Sequence, residues 1–270
     1  MTDALESARI KLARANLHAG IGRREARRFF TRHPEPAFDI HPDSDEWPVS
    51  VGDVFRCKVV VIRGWPDLPP SFAARFGDAI CNYRCALDHV AWRLVCDGLT
   101  PPSKLTKRQR TRVQFPIYTE EAAFDENIEG RLPGVSKAVT DYVKSLHRYV
   151  GGQTTNNRLT ALADLSNDDK HRTLTVIATV LFHVRHDITF TDCILIRPGF
   201  PPKPLAVKDD AVVLRLECRV TGPKPQVTVN LQPTFHIALE DGRGFGDVLG
   251  DIQSEVTQVL DAPEILAAIR

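Results

Sequence analysis

Between Ser71 and Asp97, Phe72, Phe76, Ile80, Tyr83, Leu87, Val90 and Leu94 recur every three or four positions. That spacing places all seven on one side of an α-helix, and no other regular structure would bury them together. Ser71 stands where a cap belongs, and Gly98 with Pro101-Pro102 closes the run. So long an apolar stripe needs partner helices, which a bundle supplies. Leu5, Ala8, Leu12, Ala15 and Ala19 supply one such face, ended by His33-Pro34-Glu35-Pro36. Thr119 is placed to cap a helix with Glu120 and Glu121 in its first turn. The spacing predicts helices at about 3–32, 71–97, 119–131, 136–149, 156–179 and 246–268. Thr173–Val180 is β-branched enough to form a strand instead.

The last third changes period. Runs rich in Val, Ile and Phe, separated by Pro and Gly, predict strands at about 184–197, 211–220 and 226–239. Residues 51–63 read the same way and are expected to join that sheet from a distant part of the chain. The polar, acidic stretch Asp39–Glu46 reads as a connection. The expected fold is α+β, a helical bundle with a small, mostly antiparallel β-sheet. It is read as a single domain over residues 1–270, or two tightly packed ones.

With 35 Lys and Arg against 34 Asp and Glu, the chain is neither a basic tail protein nor an acidic disordered one. No apolar run approaches the ~18 residues of a membrane helix, so no membrane partner is expected. Arginines crowd the first 32 residues, but Asp3, Glu6 and Glu25 interleave with them and no apolar signal core follows. A cytoplasmic chain is expected, with the six cysteines reduced and mostly buried. The run Lys104–Arg112, five basic residues in nine, reads as a solvated loop that could also follow a nucleic-acid backbone. Walker A, H-E-x-x-H and G-x-S-x-G are all missing from the sequence.

Two polar clusters interrupt the helical pattern. The long helix carries Asp78, Asn82, Arg84, Asp88 and His89 away from its stripe. Arg84 and His89 suit a phosphodiester: a guanidinium holds phosphate oxygens, and an imidazole of pKa ~6.5 moves protons. Five residues of helix separate them by about 140°, so only the long Arg side chain or a partner helix brings both groups to one phosphate. The plainer reading makes Arg84 and Asp88 an i,i+4 ion pair and His89 a hydrogen-bonded, half-buried side chain. Cys81, Cys85 and His89 share a face, but zinc wants four ligands and no second pair is evident, so no metal and no other cofactor is expected.

The second cluster is Ser166-Asn167-Asp168-Asp169-Lys170-His171-Arg172. Ser166 and Asp169 fit a capping box, so a helix could begin there. Alternatively Lys170 and Arg172 bind an anion, and His171 transfers protons beside an acid that orients a neighbouring imidazole.

The segment Gly77-Asp78-Ala79-Ile80-Cys81-Asn82-Tyr83-Arg84-Cys85-Ala86-Leu87-Asp88-His89 resembles the GD-x3-N-x-R-x-ALDH helix of an uncharacterised bacterial protein family, common in actinobacteria. Gln114–Ile117, Tyr149–Gly152 and Leu165–Arg172, with its N-x-D-K-H-R pattern, carry the same resemblance, which implies no activity. The Arg-x4-His element is similar to that of the HEPN superfamily, all-helical domains whose Arg and His cut RNA without metal, usually across a dimer. By that resemblance Arg84 steadies the phosphate and His89 transfers the proton, with Asn82 nearby; His171 completes the expected catalytic set if its helix faces theirs. Asn82, Asp88, Asn167, Asp169, Lys170 and Arg172 are the expected substrate-binding residues. RNA and a second copy of the chain are the implied partners. Cys85 stands where HEPN proteins commonly place a polar residue, and a sheet is appended. The rival expectation is a non-catalytic binding or structural protein in which the same polar residues form a buried network.

Overall fold

A computed structural model describes residues 4–43, 50–99, 105–171, 176–181, 188–200, 206–229, 234–239 and 241–269. The fold is α+β, about half helical, and it divides into two compact units. Unit 1 comprises Met1–Arg23, Ser71–Leu174 and Asp247–Arg270; unit 2 comprises Arg24–Pro70 and Thr175–Gly246.

Unit 1 is built from the first part of α1 (Glu6–Arg32), α2 (Pro70–Gly98), α3 (Lys107–Arg110), α4 (Glu121–Arg131), α5 (Lys137–Ser145), α6 (Asn157–His171), most of α7 (Phe245–Leu260) and α8 (Pro263–Ala268). The expected stripe of α2 is its buried face, from Phe72 to Leu94. Leu5, just before α1, Ala8, Ala15 and Ala19 of α1, and Leu159, Leu162 and Leu165 of α6 are also buried. Gly98 lacks a side chain where the Gly134 carbonyl lies against it.

Several helix ends differ from the sequence reading. Helix α2 begins at Pro70, whose fixed φ suits a first turn. Glu120 rather than Thr119 stands at the N-cap of α4, and Thr119 offers its carbonyl to Thr154 instead. Helix α5 stops at Ser145, four residues early, in a turn where Arg148 takes φ 51°. Ser166 does not start a helix: α6 runs through it, because Asn156 already caps that helix, its Oδ1 accepting from the Arg158 and Leu159 amides. Pro263 splits the last helix into α7 and α8. Lys107–Arg110 is a short helix closed by a Thr106–Gln109 capping box. No helix among the described residues is long and apolar enough to cross a membrane.

Unit 2 holds β1 (Ala37–Pro42), β2 (Val54–Arg63), β3 (Val176–Leu181), β4 (Ile188–Thr191), β5 (Cys193–Gly199), β6 (Val212–Val220), β7 (Gln226–Val229) and β8 (Thr234–Leu239). The order β1-β2-β6-β5 makes a four-stranded antiparallel sheet, so 51–63 does join a sheet with the C-terminal third. Strands β4 and β5 are halves of one bent strand broken at Asp192, φ 50°. The first half pairs with β7 and the second with β6; β7 also lies beside β1, so the strands curl toward closure. The expected strand 226–239 is likewise two, β8 pairing with β3 in a separate ribbon. That ribbon takes the β-branched end of the expected helix 156–179, where propensity favours strand. Strand β1 overlaps the start of the polar stretch Asp39–Glu46, for which no strand is expected; alternation in Phe38-Asp39-Ile40-His41 is its signal. Cys57, Val59, Leu214, Leu216 and Cys218 fill the inner face.

Candidate functional site

Helix α2 turns Arg84 and Asp88 toward the extended segment Gln114–Tyr118 of unit 1. One turn apart, the two side chains grip one residue of that segment. Arg84 Nη2 donates to the Phe115 carbonyl at 2.8 Å, and Asp88 Oδ1 accepts from the Phe115 amide at 2.9 Å. The pair closes on itself at 3.1 Å, with side chains 14% and 27% exposed. A peptide that would otherwise lose both partners on burial is thereby satisfied.

Three residues on, the same segment is held from α5 and the turn after it. The Tyr118 amide donates to His147 Nε2 at 3.3 Å, while His147 Nδ1 lies 3.0 Å from the Val143 carbonyl. Accepting on Nε2 fixes the neutral tautomer with the proton on Nδ1. His147 is fully buried, stacked on Tyr149 and edge-on to Phe124. Burial pushes its pKa below the usual histidine value, against the raising effect of its backbone hydrogen bonds. Tyr149 Oη donates to the Tyr118 carbonyl at 3.1 Å.

The segment so fixed walls a cavity of about 180 Å³, lined also by Arg84, Arg131, Ser166 and Asn167. Arg131, the last residue of α4, donates from Nε to Tyr118 Oη at 3.1 Å and from Nη1 to Gln114 Oε1 at 2.9 Å and the Arg112 carbonyl at 3.3 Å. Every one of these acceptors is neutral. The guanidinium is held in place with no carboxylate partner among the described residues.

Of the expected site residues, Arg84 and Asn167 line this cavity, and Asp88 stands behind Arg84. Half-buried His89 does not line it. Asn82 Nδ2 donates to the Asp78 carbonyl one turn back. Asp169 packs against Gly77 of α2, where any side chain would collide with its carboxylate. Burial, and then the charge of Asp78, raises the Asp169 pKa. The backbones of Lys170 and His171 end α6; their side chains, and Arg172 entirely, lie outside the described residues.

Sequence reasoning missed Arg131, Gln114 and His147. It also missed Asn156, which links the Leu146 carbonyl to the buried Glu255 carboxylate at 2.6 and 2.7 Å. The available signals were slight: His147 follows Val143 by one helical turn, and Asn156 stands just before the Leu159, Leu162, Leu165 face, where a cap belongs. Among the described residues no three His, Cys, Asp or Glu side chains converge as metal ligands would. No protein-family model, curated protein or solved structure matches the chain.

Proposed function

We propose that the helical unit is a non-catalytic binding module that receives a phosphate group, that of an RNA by the HEPN-like resemblance, in the cavity beside Arg131. The observation that carries this reading is the Arg131 guanidinium itself. It is fixed by three neutral acceptors and has no carboxylate partner among the described residues. A charge so placed leaves an anion as the favoured occupant. About 180 Å³ is below the ~300 Å³ at which drug-sized pockets begin, so it suits one phosphate group and a few waters rather than a whole nucleotide. Gln114 gives its carbonyl oxygen to Arg131, which leaves its amide NH2 as a further donor, and Asn167 adds another amide to the wall.

Binding is favoured over RNA cleavage by the state of Arg84. Its Nε and Nη2 are engaged by Asp88 and the Phe115 carbonyl, and the Asp88 carboxylate offsets its charge, so it shapes the wall more than it offers a free charge. His89 is turned about 140° from Arg84 on the same helix. Titration with inorganic phosphate tests the reading. Wild type and Arg131→Lys are expected to bind, Arg131→Ala to bind at least tenfold more weakly, and His89→Ala to bind as wild type. Equal binding by Arg131→Ala would overturn the site. RNA cleavage in EDTA that His89→Ala abolishes would restore the nuclease.

A further inference from the structure

The second half of α1 carries Arg24, Arg27, Arg28 and Arg32, all exposed. None makes an ion pair with any described residue. Arg24, Arg28 and Arg32 follow one line at four-residue spacing, and Arg27 lies on the adjoining line. Like charges at that spacing cost a helix a few tenths of a kcal/mol per pair. Complementing the helix dipole accounts only for Arg32 in the last turn, so Arg24, Arg27 and Arg28 are left without that reason.

The other side of this segment is spent on packing within unit 2. Phe29 is buried, with ring contacts to Trp65 at 6.4 Å and His33 at 4.7 Å, and Phe30 stacks obliquely on Trp65 at 4.8 Å. Trp65 Nε1 donates to the Pro34 carbonyl at 3.0 Å, tying down the chain just beyond the helix. The arginine row is therefore presented on an anchored helix.

We infer that this row is a docking surface for the sugar–phosphate backbone of a nucleic acid. Arg24 to Arg32 spans about 12 Å of helix axis, over which one strand of a duplex presents about three or four phosphates. A strand offers that charge density whatever its sequence, whereas a peptide needs a run of acids. Membrane insertion is disfavoured because Phe29 and Phe30, the large apolar side chains here, are already committed to Trp65. This row shares no residue with the Arg131 cavity, and each can fail without the other.

The test is fluorescence anisotropy of a labelled single-stranded RNA, with the matching DNA, across a salt series. Four contacts predict a slope of log K against log salt of about −3, falling to about −1.4 for Arg24→Ala/Arg28→Ala. At physiological salt that variant is expected to bind at least tenfold more weakly, while Arg24→Lys/Arg28→Lys retains most of the slope. Its circular dichroism is expected to match wild type, because both sites are exposed. Arg131→Ala, which removes the single phosphate contact of the cavity, is expected to lower this slope by no more than about 0.7, half the loss expected for Arg24→Ala/Arg28→Ala. No binding by wild type, an unchanged slope in the alanine variant, or binding only to phosphatidylserine vesicles or polyglutamate would each overturn the surface.

Discussion

Two residues on neighbouring turns of α2, Arg84 and Asp88, decide where Phe115 lies, and through it one wall of the cavity. Asp88→Ala removes the acceptor of the Phe115 amide and the counter-charge of a guanidinium that is only 14% exposed. A loss of about 2–3 kcal/mol in urea unfolding is expected, and Asp88→Asn, which keeps an oxygen for the amide, should lose less. An unchanged midpoint would remove the clamp from the account. His147 sets the opposite end of the segment and does so only while neutral. Its folded pKa lies below the 6.5 of the unfolded chain, so near that pH the unfolded state binds more protons. Stability from this group is fully present above about 6.5 and is lost as pH falls further, toward the folded value. Protonated Nε2 would also meet the Tyr118 amide as a second donor. Melting temperatures taken from pH 8 to pH 5 should fall on the acid side, and His147→Gln should flatten that part of the profile. An identical acid slope in the variant would place its cause elsewhere.

At the scale of elements, α2 makes room for α6 at Gly77, against which the Asp169 carboxylate packs. A methyl at 77 would collide with that carboxylate, so Gly77→Ala is expected to cost about 1–3 kcal/mol. Asp169→Ala in the same chain should recover most of it, a non-additivity that a double-mutant cycle reads directly. Additive losses would mean that the collision is relieved by other movement. Helix α2 is legible in the sequence because its stripe is long and regular, and Pro70–Gly98 matches the expected 71–97 within a residue at each end. The boundary after α6 was not, because Leu174, Val176 and Ile177 suit a helix by spacing and a strand by β-branching, and pairing with β8 settles it. Strand β7 parts from β8 for a similar reason: partners in two sheets divide a run that composition leaves continuous. The site was half legible. Arg84 and Asn167 stand out as polar residues on amphipathic helices. Arg131 reads as an ordinary basic helix end, because its acceptors include a loop carbonyl that only the folded backbone supplies.

For the whole molecule, the path of the chain matters more than its composition. Unit 1 is assembled from three separated segments, the last of them beginning at Asp247. That segment contributes Leu249, Ile252, Val256, Val259 and Leu260, each no more than 1% exposed, along with the buried Glu255 that Asn156 reaches across 99 residues. Burying five such side chains is worth on the order of 10 kcal/mol, as much as the entire stability of an ordinary domain. A chain ending at Gly246 is therefore expected to lose the cooperative thermal transition of its helical signal and to expose apolar surface to a hydrophobic dye. Adding a 247–270 peptide should restore part of the transition, since its α7 face is complementary to the gap. If the shortened chain melted as sharply as the full one, the helical unit would have to close its core without α7, and the 1% exposures would have no energetic meaning. The same arithmetic separates the two surfaces proposed for ligands. Arg131 depends on unit 1 being complete, because α4 and α6 line its cavity, so phosphate binding should vanish with the truncation. The row from Arg24 to Arg32 belongs to unit 2 and rests on Phe29, Phe30 and Trp65 instead.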